Sequence, residues 1–391
     1  MTERIPIDKY CEKKISTLPP TYEGLINYID ISSVDNIEKE IVSYQTISSK
    51  EAPSRAKQLL KRGDILVSTV RPNLNAVALI ESETENLMVG STGYCVLRCK
   101  ENADARYLFH FCQSPYFVDD MSSQATGASY PAVSNSIVRS SLIPCYSVEE
   151  QRKIADKMDA LCGLIKLRKK QLSKLDELVK SRFIELFGNS NYPCEPLDNN
   201  VIEMFIGPFG SSLKNEFFVD EEDGFCMVYE QKHAIQKTMN VPTRYVLKSK
   251  YEELKRFTVV GGDIIVSCRG TIGEIFIIPE DAPMGIMHPS IMKIRLKNEK
   301  YNQSFFVFAL KQYMDEHSAE AKGSGVKMAV SATVLGQSDF VMPPLEVQNQ
   351  FSAFVEQVDK SKYYNDNYLQ SLDKYYFTRG ERVWKNIYHT L

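Results

Sequence analysis

The stretch that decides the fold is "KRGDILVSTVRPNLNAVALIE", Lys61–Glu81, because a closely similar stretch occurs again later in the chain. The second copy, "VGGDIIVSCRGTIGEIFIIPE", spans Val260–Glu280 and pairs Gly63-Asp64 with Gly262-Asp263 at an offset of 199 residues. In both copies a β-branched run follows Gly-Asp, which predicts a strand entered from a tight turn. Either the match is chance or the chain contains two copies of one unit.

Further landmarks favour the duplication. The Ala-Val-Ser triplet that begins at Ala132 occurs again at Ala329, and Gln151 pairs with Gln348, both at an offset of 197 residues. Landmarks in the same order at a nearly constant offset indicate tandem modules, and this period is too long for a solenoid. Each module contains short strands, short aromatic-rich helices and a Gly/Ser-rich loop. We therefore predict an α+β fold with two tandem α/β domains.

Each module is followed by a long stretch with heptad periodicity, which predicts two coiled-coil helices. At about 40 residues each helix would be about 60 Å long, too long for its own module to bury, so its natural partner is the other helix. The predicted packing residues are Met158, Ile165, Leu172, Val179, Val355, Val358, Leu369 and Leu372. The predicted boundaries are 1–146 for the first module, 147–188 for the central helix, 189–344 for the second module and 345–391 for the C-terminal helix.

The bulk composition is ordinary for a soluble protein, with 43% hydrophobic and 25% charged residues. No stretch approaches the roughly 20 apolar residues that span a bilayer, and the first residues lack the apolar centre of a signal peptide. Nine scattered cysteines and five histidines without ligand spacing predict reduced thiols and no metal site. A cytoplasmic location is expected.

Charge is distributed unevenly along the chain, whose net charge is −3. Residues 1–147 carry 15 basic and 17 acidic side chains, residues 148–188 carry 10 and 7, and residues 189–344 carry 16 and 20. The modules are therefore not basic enough to hold a nucleic acid alone. Contact with phosphates would require local patches or a partner that supplies positive charge.

Catalytic motifs are absent from the sequence. It contains no G-x-x-x-x-G-K-[ST], H-E-x-x-H or G-x-S-x-G, and no Asn/Asp-Pro-Pro-aromatic tetrapeptide of the adenine methyltransferases. The repeated Asp64 and Asp263 could serve an enzyme with two pseudo-symmetric halves, but an Asp after Gly at a strand entry is typical of a residue that caps its own turn.

Binding fits the duplicated architecture better than catalysis does. Two diverged modules on a stiff spacer suit a split linear ligand, and duplex DNA presents successive major-groove faces about every 34 Å. A two-headed protein–protein scaffold without DNA specificity is the alternative from a different class.

The chain resembles the specificity subunits of Type I restriction-modification enzymes. The resemblance is carried by Ala52–Leu79, by "IGPFGSSLK" at Ile206–Lys214, by "GGDIIVSCRGTIGEI" at Gly261–Ile275, and by the joints "SVEEQRKIADKMDAL" and "PPLEVQNQFSAFVEQVD". "RFIELFGN" closes the central helix as in the family. The first joint departs from the pattern, because Ser147 stands where the second copy has Pro344. The resemblance covers essentially the whole chain.

The resemblance implies that each module is a target recognition domain for one half of a bipartite asymmetric DNA site. It further implies that the two helices pair antiparallel, set the gap between the half-sites and dock two modification subunits that methylate adenine. Restriction subunits with an ATP-driven motor and nuclease can join. The chain itself would bind no cofactor, and S-adenosylmethionine, ATP and Mg²⁺ would belong to the partner subunits.

Candidate DNA contacts lie in the loops. Arg reads guanine and Asn reads adenine through paired hydrogen bonds, and "GPFGSSLK" offers hydroxyl and backbone N–H donors for phosphate. The structural alternatives are ordinary surface turns. The candidates are Arg71, Asn73, Asn75, Gln124, Thr126, Ser129, Tyr130, Ser211, Ser212, Lys214, Arg269, Thr271, Lys322, Ser324 and Lys327.

Overall fold

The computed structural model describes residues 3–188, 192–297, 299–322 and 331–385, with side chains described outside 318–322 and 373–385. The chain divides into two compact units: the first contains Met1–Ser173 and Tyr364–Leu391, and the second contains Lys174–Tyr363. Each long helix therefore contributes to both units. Among the described residues, no helix is long and apolar enough to cross a membrane.

In the described part of the first unit, eleven short strands and three short α-helices precede α4. The strands are β1 (Arg4–Pro6), β2 (Leu25–Ile29), β3 (Val34–Asp35), β4 (Glu40–Ile41), β5 (Gln45–Ser48), β6 (Ala56–Leu59), β7 (Ile65–Ser68), β8 (Val77–Leu79), β9 (Leu87–Ser91), β10 (Tyr94–Leu97) and β11 (Leu142–Pro144). The helices are α1 (Ala105–Gln113), α2 (Pro115–Ser123), α3 (Asn135–Ser140) and the long α4 (Val148–Phe183).

The strands of the second unit match those of the first in part. They are β12 (Cys194–Pro196), β13 (Val201–Ile206), β14 (Phe218–Val219), β15 (Cys226–Tyr229), β16 (Tyr245–Val246), β17 (Thr258–Val259), β18 (Ile264–Ser267), β19 (Ile275–Ile277), β20 (Gly285–Met287), β21 (Ile291–Leu296) and β22 (Asp339–Val341). The helices are α5 (Gln231–Gln236), α6 (Lys248–Glu253), α7 (Gln303–Lys322), α8 (Ala332–Gln337) and the long α9 (Leu345–Lys385).

Sheet topology confirms the predicted duplication. Strand β7 lies between β10 and β8, just as β18 lies between β21 and β19, and all these pairs are antiparallel. The parallel pair β2–β9 corresponds to β15–β20. In each unit the first strand pairs with the strand that precedes a long helix, β1 with β11 and β12 with β22.

The repeated Asp anchors the central sheet of each unit. The carboxylate of Asp64 accepts from Arg98 at 2.8 and 2.7 Å and from the Lys61 backbone N–H at 2.8 Å. Asp263 likewise accepts from Arg295 at 2.6 and 2.7 Å and from the Val260 N–H at 2.9 Å. These contacts occupy both carboxylates in holding a turn and an adjacent strand, which supports the turn-cap interpretation over an acid–base role.

The repeated Gln fastens each long helix to its unit. Gln151 Oε1 accepts from Asp104 N–H at 2.8 Å, and its Nε2 donates to the Tyr146 carbonyl at 2.9 Å. Gln348 Oε1 accepts from Asn302 N–H at 2.8 Å, and its Nε2 donates to the Pro343 carbonyl at 2.8 Å. Both side chains are fully buried. These hydrogen bonds tie the start of each long helix to its own module.

Replacing Gln348 with alanine is expected to lower the free energy of unfolding of the second unit by about 2 kcal/mol, because buried backbone groups lose their partners. Chemical denaturation measures the loss. Gln350, exposed on the same helix, is the matched control, and its replacement by alanine should change stability by less than about 0.5 kcal/mol. Equal effects of the two replacements would contradict the role of Gln348.

The prediction of two long helices is confirmed. In the second unit they run antiparallel, because Asp176 contacts Lys362 at 2.6 Å, whereas Phe187, farther along the first helix, contacts Phe351, nearer the start of α9. A π-helical turn, Ile184–Gly188, follows α4.

The predicted packing residues of the long helices are buried to different degrees. Met158, Val179, Val358 and Leu372 are buried, and Ile165, Leu172, Val355 and Leu369 are half-buried. Two polar residues of the long helices meet in the first unit, where Arg168 donates to Asn365 Oδ1 at 2.9 Å.

Candidate nucleic-acid interface

A short 3₁₀ turn, Pro72–Leu74, connects β7 to β8 and carries several of the predicted DNA contacts. Both residues that flank it are left-handed: Arg71 has φ 48° and ψ 60°, and Asn75 has φ 48° and ψ 52°. Such a conformation costs a non-glycine residue about 1–3 kcal/mol and persists only where its surroundings enforce it. Backbone strain of this kind is concentrated at functional sites.

The structure brings Arg71 together with Tyr130, which lies in the Gly/Ser-rich loop. The Arg71 N–H donates to the Pro131 carbonyl at 2.7 Å, and the Val133 N–H donates to the Thr69 carbonyl at 2.9 Å. The Arg71 guanidinium carbon lies 4.9 Å from the centre of the Tyr130 ring. Tyr130 is 70% exposed, so the stacked pair faces solvent.

Asn75 is half-buried, and its side chain is held by two partners. Its Nδ2 donates to the Cys112 carbonyl at 2.8 Å, and its Oδ1 accepts from Lys39 Nζ at 2.8 Å. Both ends of the amide are therefore occupied in bracing the turn, and the geometry does not favour the predicted contact of Asn75 with DNA.

The other predicted residues of the first unit lie on the Pro72–Leu74 turn, at the end of α2 and in the loop that carries Tyr130. Asn73 and Ser129 are exposed. Thr126 pairs with Ala132 through backbone hydrogen bonds of 3.0 and 2.9 Å, which closes the loop that carries Tyr130. Gln124 donates to Asp120 Oδ1 at 2.7 Å.

In the second unit, Arg269 and Thr271 are exposed on the turn that follows β18. Gly270 has φ 66°, so here a glycine takes the left-handed position next to the arginine, and the backbone is unstrained. The Thr271 carbonyl accepts from Ser267 Oγ at 2.6 Å, which fixes the turn to its strand.

The loop Gly207–Lys214 lies beside the same part of the second unit. The Gly207 N–H donates to the Ile291 carbonyl at 3.0 Å, and the Cys268 N–H donates to the Ser290 carbonyl at 2.8 Å, so this loop and the Arg269 turn flank one segment. Ser211 and Lys214 are exposed, whereas Ser212 is half-buried. Lys322 ends α7, and Ser324 and Lys327 lie outside the described residues.

Sequence reasoning missed a charged cluster at the start of α5. Glu230 accepts from Arg244 and lies 2.7 Å from Lys232 Nζ. Burial raises the pKa of Glu230, but the hydrogen bonds from Arg244 and Lys232 outweigh it and hold the pKa below its usual value. A capping box was the signal that could have revealed this cluster. Glu230 and His233 form one at the start of α5, as Asp30 and Ser33 do at the corresponding place in the first unit.

A cleft of about 1090 Å³ lies in the first unit between the Pro72–Leu74 turn, α1 and α4. Several of its polar side chains are engaged with one another: His110 Nε2 lies 2.7 Å from Asp159 Oδ1, and Lys166 pairs with Glu40. The hydrogen bond from His110 holds the pKa of Asp159 below its usual value, with a further contribution from Arg106. No cluster of three or more metal-ligating residues occurs in the described parts of the chain.

The described residues define a duplicated α+β protein, in which each unit carries an exposed arginine on the turn after its Asp-anchored strand. The Type I restriction modification DNA specificity domain matches residues 8–177 and 214–371, more than half of the chain. The chain therefore belongs to the family of Type I restriction-modification specificity subunits. Members of this family are non-catalytic, so the chain is not an enzyme by itself.

Individual relatives are distant. A putative Type I restriction enzyme MjaX specificity subunit of Methanocaldococcus jannaschii is 23% identical over 350 residues, which cover 84% of this chain and 79% of that protein. The HindI specificity subunit of Haemophilus influenzae is 25% identical over 166 residues, or 41% of this chain and 36% of that protein. The match to the MjaVIII subunit of M. jannaschii covers 38% of that relative.

Solved structures share the fold. One solved structure concerns complex assembly and conformational transition of the type I R-M system. It has a TM-score of 0.67 at 22% identity, and the match covers 97% of both chains. The Type I S subunit from M. genitalium has a TM-score of 0.53 at 15% identity, covering 98% of this chain and 96% of that one.

Proposed function

We propose that this chain is the sequence-specific DNA-recognition subunit of a Type I restriction-modification system, and that each unit reads one half of a bipartite asymmetric site. The observation that carries the proposal is the repeated turn after each Asp-anchored strand, which exposes Arg71 in the first unit and Arg269 in the second. Arginine is the side chain that most often reads a base edge in the major groove.

The long helices act as the spacer between the half-sites and dock two modification subunits, which methylate adenine. Restriction subunits, two where present, supply ATP-driven motion and cleavage. S-adenosylmethionine, ATP and Mg²⁺ are held by these partners and not by this chain. The assembly works in the cytoplasm, where it has access to DNA.

The charge distribution supports a partner that contacts the phosphates while this chain reads the sequence. Residues 1–147 carry 15 basic and 17 acidic side chains, and residues 189–344 carry 16 and 20. Neither segment neutralises phosphates in the way a lone DNA-binding domain does. A modification subunit that closes around the duplex supplies the missing positive charge, and the exposed arginines supply sequence discrimination.

Replacing Arg71 or Arg269 with alanine is expected to relax recognition in one half-site each, by about 5–150-fold at the affected base pair. The measurement is sequencing of methylated bases after reaction with the reconstituted modification complex, at a fixed salt concentration. Each variant is the control for the other, because the unaltered unit should keep its preference. A wild-type complex with no preference among DNA sequences would instead support the protein–protein scaffold.

A further inference from the structure

We propose that Arg71 reads a guanine in the half-site of the first unit, and that Tyr130 is the positioning residue that holds its guanidinium for this contact. The inference rests on the proposed function and deepens it, because it assigns one base and one edge of that base to a single side chain. It is carried by backbone conformation, by the stacking contact and by the exposure of the pair.

The backbone at Arg71 is fixed in a conformation that arginine rarely adopts. Its φ of 48° lies in the left-handed region, which disfavours residues with a Cβ. Two elements enforce it: the Arg71 N–H donates to the Pro131 carbonyl, and the far end of the turn is held by Asn75 through Cys112 and Lys39. A strained residue braced from both sides is a pre-organised one.

Tyr130 supplies the remaining constraint on the side chain. Its ring lies against the Arg71 guanidinium at 4.9 Å, within the range in which the ring face attracts a cation. The contact places the guanidinium carbon over the ring, and no acceptor among the described residues binds the N–H fork of the guanidinium. Such a fork matches the O6 and N7 acceptors of guanine.

The Arg71 guanidinium differs from those of Arg98 and Arg139, which bind acceptors within the first unit. Arg98 donates to Asp64 and to the Leu59 carbonyl, and Arg139 donates to Asp8 and to the Glu12 carbonyl. Among the described residues, the Arg71 side chain contacts the ring of Tyr130 and has no hydrogen-bond partner. Its hydrogen-bonding edge is therefore available to a ligand.

The second unit lacks the stacking residue in sequence. The shared Ala-Val-Ser triplet, Ala132–Ser134 against Ala329–Ser331, aligns Tyr130 with Lys327, which has no ring to stack on. The left-handed position has also moved from the arginine to Gly270. On this alignment the second unit has no aromatic residue at the position of Tyr130, and Arg269 provides a matched control.

The test uses the chain in complex with its modification subunits and duplexes that contain the methylated site. Each guanine of that site is replaced in turn by 7-deazaguanine, which keeps O6 and base pairing but lacks the N7 acceptor. The wild-type complex is expected to lose on the order of 10-fold in affinity at one guanine, in one half-site, through one lost hydrogen bond of the pair. Arg71→Ala should make binding insensitive to that replacement, while Arg269→Ala should leave the sensitivity intact.

Tyr130 is tested by the same base-specific measurement. Tyr130→Ala should reduce the preference for guanine by about 3-fold, whereas Tyr130→Phe, which keeps the ring, should retain it. Arg71→Lys should bind with weaker discrimination, since an ammonium lacks the rigid planar fork of a guanidinium. A merely structural role for Tyr130 would instead lower affinity for all duplexes equally.

Two outcomes would overturn the inference: a half-site of the first unit that contains no guanine, or an Arg71→Ala complex that still senses every 7-deazaguanine like the wild type. A uniform loss of affinity across duplexes would identify Arg71 as a phosphate contact and also overturn it. Failure of the proposed function looks different, because the wild-type complex would then bind all sequences alike.

Discussion

Replacing Asp64 with alanine is expected to lower the free energy of unfolding of the first unit by about 3–5 kcal/mol. The carboxylate is 1% exposed and its partner Arg98 is 11% exposed, so the replacement leaves a guanidinium charge in the interior without a counter-ion. The Lys61 N–H loses its acceptor as well. Chemical denaturation measures the total loss, and hydrogen exchange assigns it to the strands around β7.

The second unit provides the matched control, because Asp263 makes the same contacts. Its partner Arg295 is 30% exposed, so the released guanidinium can reach water, and Asp263→Ala should cost less than Asp64→Ala. Replacing Asp64 with Ala and Arg98 with Met together should restore part of the loss, since no charge then remains buried. A double variant as unstable as Asp64→Ala would contradict the account.

The sequence reveals the repeated Asp but not its partner. Strand register supplies the reason: β7 pairs Ile65 with Leu97, so the residues just outside that pair, Asp64 and Arg98, meet across the strands. The corresponding pair Ile264–Ile294 brings Asp263 to Arg295. Nothing local to Arg98 or Arg295 announces this contact, because cross-strand pairing is set by the assembled sheet.

Only part of the candidate interface could be predicted from the sequence, because here too long-range contacts decide which residues meet. Arg71 and Tyr130 could each be identified from loop composition, but their stacking depends on the bridge between Val70 and Ala132. Asn75 has a side chain suited to reading a base, yet its Nδ2 donates to the carbonyl of Cys112, 37 positions along the chain. Long-range hydrogen bonds therefore decide which polar loop residues face outward.

The helices were the most predictable element because heptad periodicity is a local signal. The heptad pattern does not reveal an aromatic cluster in the second unit, where the end of the first long helix and the start of α9 meet α7. Phe183 is the last residue of α4 and Phe187 lies in the π-helical turn after it, while Phe305 and Phe308 lie on α7. The ring of Phe351 on α9 contacts all four, at centroid distances of 5.5, 5.7, 6.1 and 5.2 Å.

Replacing Phe351 with alanine is expected to destabilise the second unit by about 3–5 kcal/mol, because a fully buried ring is removed from the point where three helices meet. Denaturant unfolding followed by circular dichroism measures the loss. Phe351→Leu, which keeps most of the apolar volume, should cost less than about 1.5 kcal/mol. Glu356→Ala, an exposed position on the same helix, should change stability by less than about 0.5 kcal/mol.

The Phe351→Ala variant also distinguishes two functions in the proposal, the spacing of the half-sites by the helices and the reading of bases by the units. If the helices hold the half-sites at a fixed spacing, a loosened helix pair should reduce methylation without changing which bases are preferred within either half-site. Arg71→Ala should do the opposite, since it alters one half-site and leaves the helices intact. Sequencing of methylated bases for both variants decides between them, and a Phe351→Ala complex with altered base preference in a half-site would show that spacing and reading are not separate functions.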